Sequence, residues 1–491
     1  MASVRELVQT AFRITGRSVI SPANLEMLIR MLPDGVDVDP AHLQAFLEKV
    51  TDPQTGMIDS EEFLNAVFET DAHGGPTISP DVIAATATEA AFLDLEAAQR
   101  EQNLMNELCM GAGAFNRHLE ELAKVFPFHG YISYTENRVI TLQQLLKICE
   151  FTKSSCTAWF DIRSGDAITY DTTNLYHFNS WCILPATNQH NCAFVELLTA
   201  EAQDPAWCCS HWWGEPIKDF VTCIKTHKEV RQLPEEDGYW VCAHANRQHS
   251  LQQELAGDPS ETSFFKAMML AQGVLLILDC NATPFTRIWC AFEEYVALSD
   301  RTRTEPLKLD LATSIDSRGF LLTGGLTIAE TAVQNGVQFK ILREMSYPME
   351  LLKRGLNYCL QTAQASVEED RMRILNKIAG RNLDETPIEK HPAYEHVNDA
   401  LAGVSARAGW GLALQFGIVQ LGFSQALAKD PVSKSLNFDF SWFDQLSDND
   451  LVDLGLGFSP QVQDLTLNFK ERSEIGDVGL AGLAAQLPSG L

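Results

Sequence analysis

The sequence predicts a multidomain protein of the α and α/β classes, and three observations carry that expectation. From Trp207 onward short apolar runs alternate regularly with amphipathic segments, the pattern of a parallel sheet covered by helices. Near the carboxyl end two stretches align at a constant offset of 29, with Leu436 on Leu465, Phe440 on Phe469, Asp448 on Asp477 and Leu451 on Leu480. The first seventy or so residues hold only short apolar periods at helical spacing, cut by turns such as PDGVDVDP. A chain of 491 residues has room for several ordinary domains.

Composition narrows the function classes. Hydrophobic residues at 45% and charged residues at 21% are those of a globular protein. A net charge of −28 repels phosphate backbones and anionic membranes, so neither nucleic acid nor a membrane is expected as a partner. Arg5 and Glu6 fall where a secretion signal needs an apolar core. The longest apolar run, residues 267–278, is broken by Gln272 and Gly273 and is too short to span a bilayer. Twelve scattered cysteines fit reduced thiols, and the expected location is cytoplasmic.

Taken in order, residues 1–72 form a helical domain whose most informative segment is TDPQTGMIDSEEF. With Ile58 at position 8 of a twelve-residue loop, Gly56 falls at position 6 and Glu62 at position 12, and the segment resembles an EF-hand. Thr51 and Pro53 stand at positions 1 and 3, where calcium needs oxygen ligands, so the expectation is an EF-hand-like pair that folds without calcium. Val19 and Ile20 of the upstream stretch RITGRSVISPAN would pair with Ile58 across a short ribbon.

Residues 73–125 open with the linker HGGPTISPDV and continue as a helix over 82–109, broken by MGAGAF. Residues 126–200 mix β-branched and aromatic runs and are assigned as a buttress. The α/β domain spans 201–345, with strands AWCCSHWW, YWVCAHA, GVLLILD and PLKLDLA, and helices EPIKDFVTCIKTH, SFFKAMMLAQ and RIWCAFEEYVAL. Residues 346–430 read as a helical layer built on MELLKRGLNYCLQTAQ and VEEDRMRILNKIAG. Residues 431–491 hold the repeat, whose L-x-L-x-F strand followed by a short helix is similar to leucine-rich repeats.

GVLLILD followed by WCAFE resembles a Toll/interleukin-1 receptor (TIR) domain, in which a strand precedes a helix bearing W-C-x-x-E, on a flavodoxin-like parallel sheet. The resemblance covers about 140 residues, and FVTCI and SFFKAMMLAQ fit the helices before it. The chain as a whole resembles multidomain proteins of algae and protists. The family includes partner-binding adaptors and enzymes that cleave NAD at the nicotinamide bond with the glutamate of that helix, here Glu293. One ionised carboxylate held against an oxocarbenium-like ribose would stabilise its developing charge. Trp289, four residues earlier, shares a helical face with Glu293; in the bland alternative Glu293 and Glu294 are solvated helix charges.

Ser210, His211, Trp213 and Glu215 follow the first strand, where an open parallel sheet binds ligands, and an indole there could stack on a base. Asn246 and Arg247, after the second strand, are candidates for a diphosphate. Cys208, Cys209, His211, Cys242, His244 and His249 lack a C-x-x-C pair, and no metal site is expected from them. Three functions stay open: a signalling or scaffold protein that binds other proteins or itself, an NAD glycohydrolase, and a calcium-responsive regulator.

Overall fold

The computed structural model describes residues 19–20, 58–59, 111–161, 164–251, 257–299, 307–333, 335–365, 367–416, 422–441, 446–470 and 475–491. The chain divides into two compact units, Met1–Phe128 with Glu150–Cys192, and His129–Cys149 with Ala193–Leu491. Residues 126–200 are thus shared between the units.

In the first unit, β1 (Val19–Ile20) and β2 (Ile58–Asp59) pair antiparallel with Ile20 opposite Ile58, the ribbon expected from the sequence. Thr51, Pro53, Gly56 and Glu62, the linker and the 82–109 helix lie outside the described residues. Helix α1 (Ala112–Val125) buries Phe115, His118 and Leu122. Trp159 and Trp181 stack at 6.2 Å, and His118 Nε2 hydrogen-bonds the Trp181 carbonyl at 2.7 Å.

The second unit is built on six strands: β3 (Ile140–Thr141), β4 (Trp207–His211), β5 (Gly238–Trp240), β6 (Gly273–Leu278), β7 (Lys308–Ile315) and β8 (Arg318–Leu322), in the order β3-β5-β4-β6-β7-β8. The four central strands are parallel, as the alternating pattern predicts, but both edges are antiparallel and the sheet is mixed. β6 is buried along its whole length between β4 and β7, which is why GVLLIL is continuously apolar rather than alternating. It starts with glycine because a Cβ at Gly273 would lie 2.5 Å from the Trp207 ring.

Around the sheet lie α2 (Ile217–Arg231), α3 (Cys242–Ala245), α4 (Ser263–Leu270) and α5 (Ile288–Ser299). The stretch YWVCAHA is not one strand. It leaves the sheet after Trp240, and the amides of His244 and Ala245 turn back onto the Val241 carbonyl at 3.0 Å each, making α3 a single turn.

The helical layer comprises α6 (Gly336–Glu344), α7 (Met349–Leu356), α8 (Glu368–Ile378), α9 (Pro392–Ala408), α10 (Trp410–Phe416) and α11 (Phe423–Lys429). MELLKRGLNYCLQTAQ is helical only to Leu356. α9 buries Tyr394, Val397, Leu401, Val404 and Ala408, one apolar stripe at helical spacing.

The tail forms β9 (Ser435–Asp439), α12 (Asp448–Gly455), β10 (Asp464–Asn468) and α13 (Asp477–Ala485). β9 and β10 are parallel with Leu436 opposite Leu465, so the offset of 29 in the sequence is the register of the sheet. Phe440 and Phe469 stack at 5.1 Å. The first repeat is docked on the helical layer, with Trp410 edge-on to Phe438 at 5.1 Å and Phe440 at 5.5 Å. On the second, Val478 stays 74% exposed and Leu480 43%. Repeat units gain stability through their neighbours, so Trp410→Ala should cost about 3–5 kcal/mol. Thermal melts of the two proteins check this, and coincident transitions would show that the repeats do not depend on the dock.

Candidate functional site

Chain order reverses at β4, which has β5 on one side and β6 on the other. In an open α/β sheet that reversal opens a crevice outside the carboxyl ends of the strands. The residues placed there are Ser210 and His211 at the end of β4, Glu215 beyond it, Asp279 after β6, and Glu293 on α5.

Ser210 is buried with its hydroxyl against the Glu293 carboxyl and the Cys290 thiol, although it makes no hydrogen bond of normal geometry with either. Glu293 is 7% exposed, and burial pushes its carboxyl up to about 8, opposed only by the Ser210 hydroxyl. Three thiols and Glu294 also feel its charge. Burial raises Cys209, Cys242 and Cys290, Cys242 to about 12, and the nearby Glu293 charge adds to each. No cation among the described residues offsets this, so the burial favours the neutral acid.

Neither glutamate of the helix is a solvated charge. Glu294 is 0% exposed, with both carboxyl oxygens lacking a hydrogen bond of normal geometry beside Tyr358. Burial and then Glu293 itself push its carboxyl well above the ordinary range. Trp289 serves a different purpose from the one its spacing suggests. Its ring stacks on Phe264 at 5.3 Å and its Nε1–H donates to Asp370 at 3.0 Å, fastening α5 to α8.

His211 is packed against Phe220 at 4.7 Å between ring centroids, and burial lowers it to about 4, so it is a neutral ring at pH 7. His244 is lowered to about 3 by burial and by His211. Trp213 donates its Nε1–H to Cys242 Sγ at 3.2 Å, which brings the loop after β4 onto α3. Glu215 is buried with one carboxyl oxygen unpartnered, and burial followed by Asp279 and Asp219 pushes it well up.

The structure therefore brings Ser210 to Glu293 and Trp213 to Cys242, but it engages Asn246 and Arg247 otherwise. Asn246 accepts from the Ser263 hydroxyl at 2.8 Å. Arg247 donates to Glu196 at 3.2 Å and lies over the Tyr131 ring at 5.4 Å. Glu196, fully buried, also takes the amides of Ile132 at 2.6 Å and Ala193 at 2.7 Å.

A second polar centre escaped the sequence reading. Asp310 on β7 accepts two bonds from Arg231, at 2.8 and 2.6 Å, with His227 Nε2 at 3.2 Å and the Gly324 amide at 2.8 Å. His227 Nδ1 meets the Tyr239 hydroxyl at 2.9 Å. The signal was present as a lone aspartate inside the apolar strand LKLDLA, and as His227 and Arg231 four apart on α2: charges at buried positions have to be paired. Among the described residues no group of His, Cys, Asp and Glu is arranged to hold a metal ion.

No family model matches the chain, and neither a curated protein nor a solved structure matches it.

Proposed function

We propose that the chain is an intracellular signalling or scaffold protein whose TIR-like α/β unit acts by binding other proteins or itself. One observation carries this choice over catalysis: Glu293, which NAD cleavage would need ionised, is buried among thiols with its carboxyl pushed up to about 8. A carboxyl that is mostly protonated at pH 7 offers little to a developing ribose cation. The half-exposed second repeat adds an apolar surface suited to contact. No helix among the described residues is long and apolar enough to cross a membrane.

The expected result is that concentrated protein releases no nicotinamide from NAD at pH 7, followed by chromatography. Turnover that disappears in Glu293→Gln would overturn the proposal. The NAD glycohydrolase reading retains one specific support, the Ser210 hydroxyl against Glu293 at the strand ends. It carries its own signature: nicotinamide release would climb with pH through about 8 as Glu293 ionises. The calcium-responsive alternative rests on Gly56 and Glu62, outside the described residues.

A further inference from the structure

The second unit holds a cleft of about 200 Å³ that shares no lining residue with the Ser210–Glu293 site. It is enclosed by the turn at residues 323–326, TGGL, with α6, the end of α9, Trp410 and β9. Gly325 sits at φ +76°, with open space where a side chain would project, so the turn presents bare backbone to the cleft.

The hydrogen-bond balance of this cleft is one-sided. Arg407 uses only its Nε–H, donated to Asp430 at 2.8 Å. Asp430 is also occupied by the Val432 amide at 2.9 Å, while both terminal nitrogens of Arg407 have no acceptor among the described residues. Lys340 is buried and gives one N–H to Glu344, which also takes the amide and hydroxyl of Thr323 and a bond from Arg343. The remaining ammonium hydrogens of Lys340 have no acceptor there either.

The carbonyls of the turn do not supply what is missing. The carbonyls of Gly324 and Leu326 are taken by Arg231, and that of Gly325 by the Thr323 hydroxyl. Arg407, with a side chain 28% exposed, and Lys340, 9% exposed, therefore keep N–H donors that a ligand in the cleft can take up in place of water. Val337, Val404, Leu436 and Phe438 make an apolar wall, and Ser435 and Asn437 of β9 are the polar residues beside it.

From this pairing of surplus cationic donors with an apolar wall, we propose that the cleft binds a small organic anion, a carboxylate head on Arg407 and Lys340 and a flat or aliphatic body against Val337 and Leu436. The volume suits roughly ten non-hydrogen atoms. A polyanion is disfavoured, because a chain of net charge −28 repels it everywhere else.

Calorimetric titration of the intact chain with benzoate, benzamide and inorganic phosphate tests the assignment. Benzoate should bind saturably, with its neutral amide and phosphate each weaker by about tenfold or more, since one lacks the charge and the other the apolar body. Arg407→Gln should weaken benzoate by at least about tenfold, and Val337→Trp, which fills the cleft without touching a charge, should abolish binding. Should Arg407→Gln fail to fold, the ligand series on the unmodified protein and the Val337→Trp variant decide the matter alone. No binding of benzoate, equal binding of benzamide, tighter binding of phosphate, or benzoate binding undiminished in a folded variant overturns the proposal.

Discussion

Asp310→Asn should lower the stability of the protein by about 3–5 kcal/mol at pH 7, among the largest effects expected of any single polar substitution in the chain. The aspartate is fully buried, and its removal strands the Arg231 guanidinium and leaves His227 facing an amide in the interior. Trp207, which lies under Arg231 at 5.5 Å and edge-on to His227, offers a weak cation–π contact in its place. Replacing both partners together, Asp310→Leu with Arg231→Met, should cost much less than the single change, because neither charge is then left alone. Urea titrations of the two variants separate these cases, and a loss below about 1 kcal/mol for Asp310→Asn would contradict the network's role.

The same carboxylate dictates a response to acid. Burial alone would raise it, yet the bonds from His227 and Arg231 hold it down to about 2. Its ordinary value is about 3.9, so its contribution is present above that pH and is lost as pH falls toward 2, about 2–3 kcal/mol in all. His227, lowered chiefly by burial, acts in the same direction, because the unfolded chain takes up its proton first.

How much of this could be read from the residues depended on whether the signal was local. The central strands announced themselves because burial on both faces demands runs like GVLLIL, and the tail because a stacked repeat must keep its period. The edges did not. β3 is two residues long and comes from a segment more than sixty positions upstream of β4. β8 follows a two-residue turn in which Asp316 and Ser317 both have positive φ, 50° and 61°, the geometry for which Asn-Gly is the familiar signature and Asp-Ser is not.

At the site, Ser210 and Glu293 could both be placed near the crevice because Ser210 falls at the end of the first parallel strand and Glu293 on the helix that follows GVLLIL. Trp289 was misplaced because helical spacing says which residues share a face but not which neighbour that face meets; Asp370 lies 81 positions away. The burial of both glutamates had a visible cause as well. IWCAFEEYVAL is apolar on every side apart from them, and a helix hydrophobic all round is an interior helix.

That interior position fixes the last expectation, a stability that declines in mild alkali and recovers on removing one charge. Glu293 has a folded-state value of about 8 against an ordinary 4.5, so between these limits the folded protein holds a proton that the unfolded chain has released. Stability contributed by the group is complete below the lower value and is lost as pH rises through the upper one. At about 1.4 kcal/mol per unit of difference, the loss approaches about 5 kcal/mol for this residue. Glu293→Gln keeps the size of the side chain and cannot ionise. It should match the natural protein at pH 5 and be the more stable of the two by several kcal/mol at pH 8.5, while Glu215, which Glu293 does not shift, titrates alike in both. Parallel unfolding curves at the two pH values measure the difference directly. A gap that stays constant with pH would mean that Glu293 is ionised in the folded protein, and the case for an ionised, catalytic carboxylate would then displace the scaffold proposal.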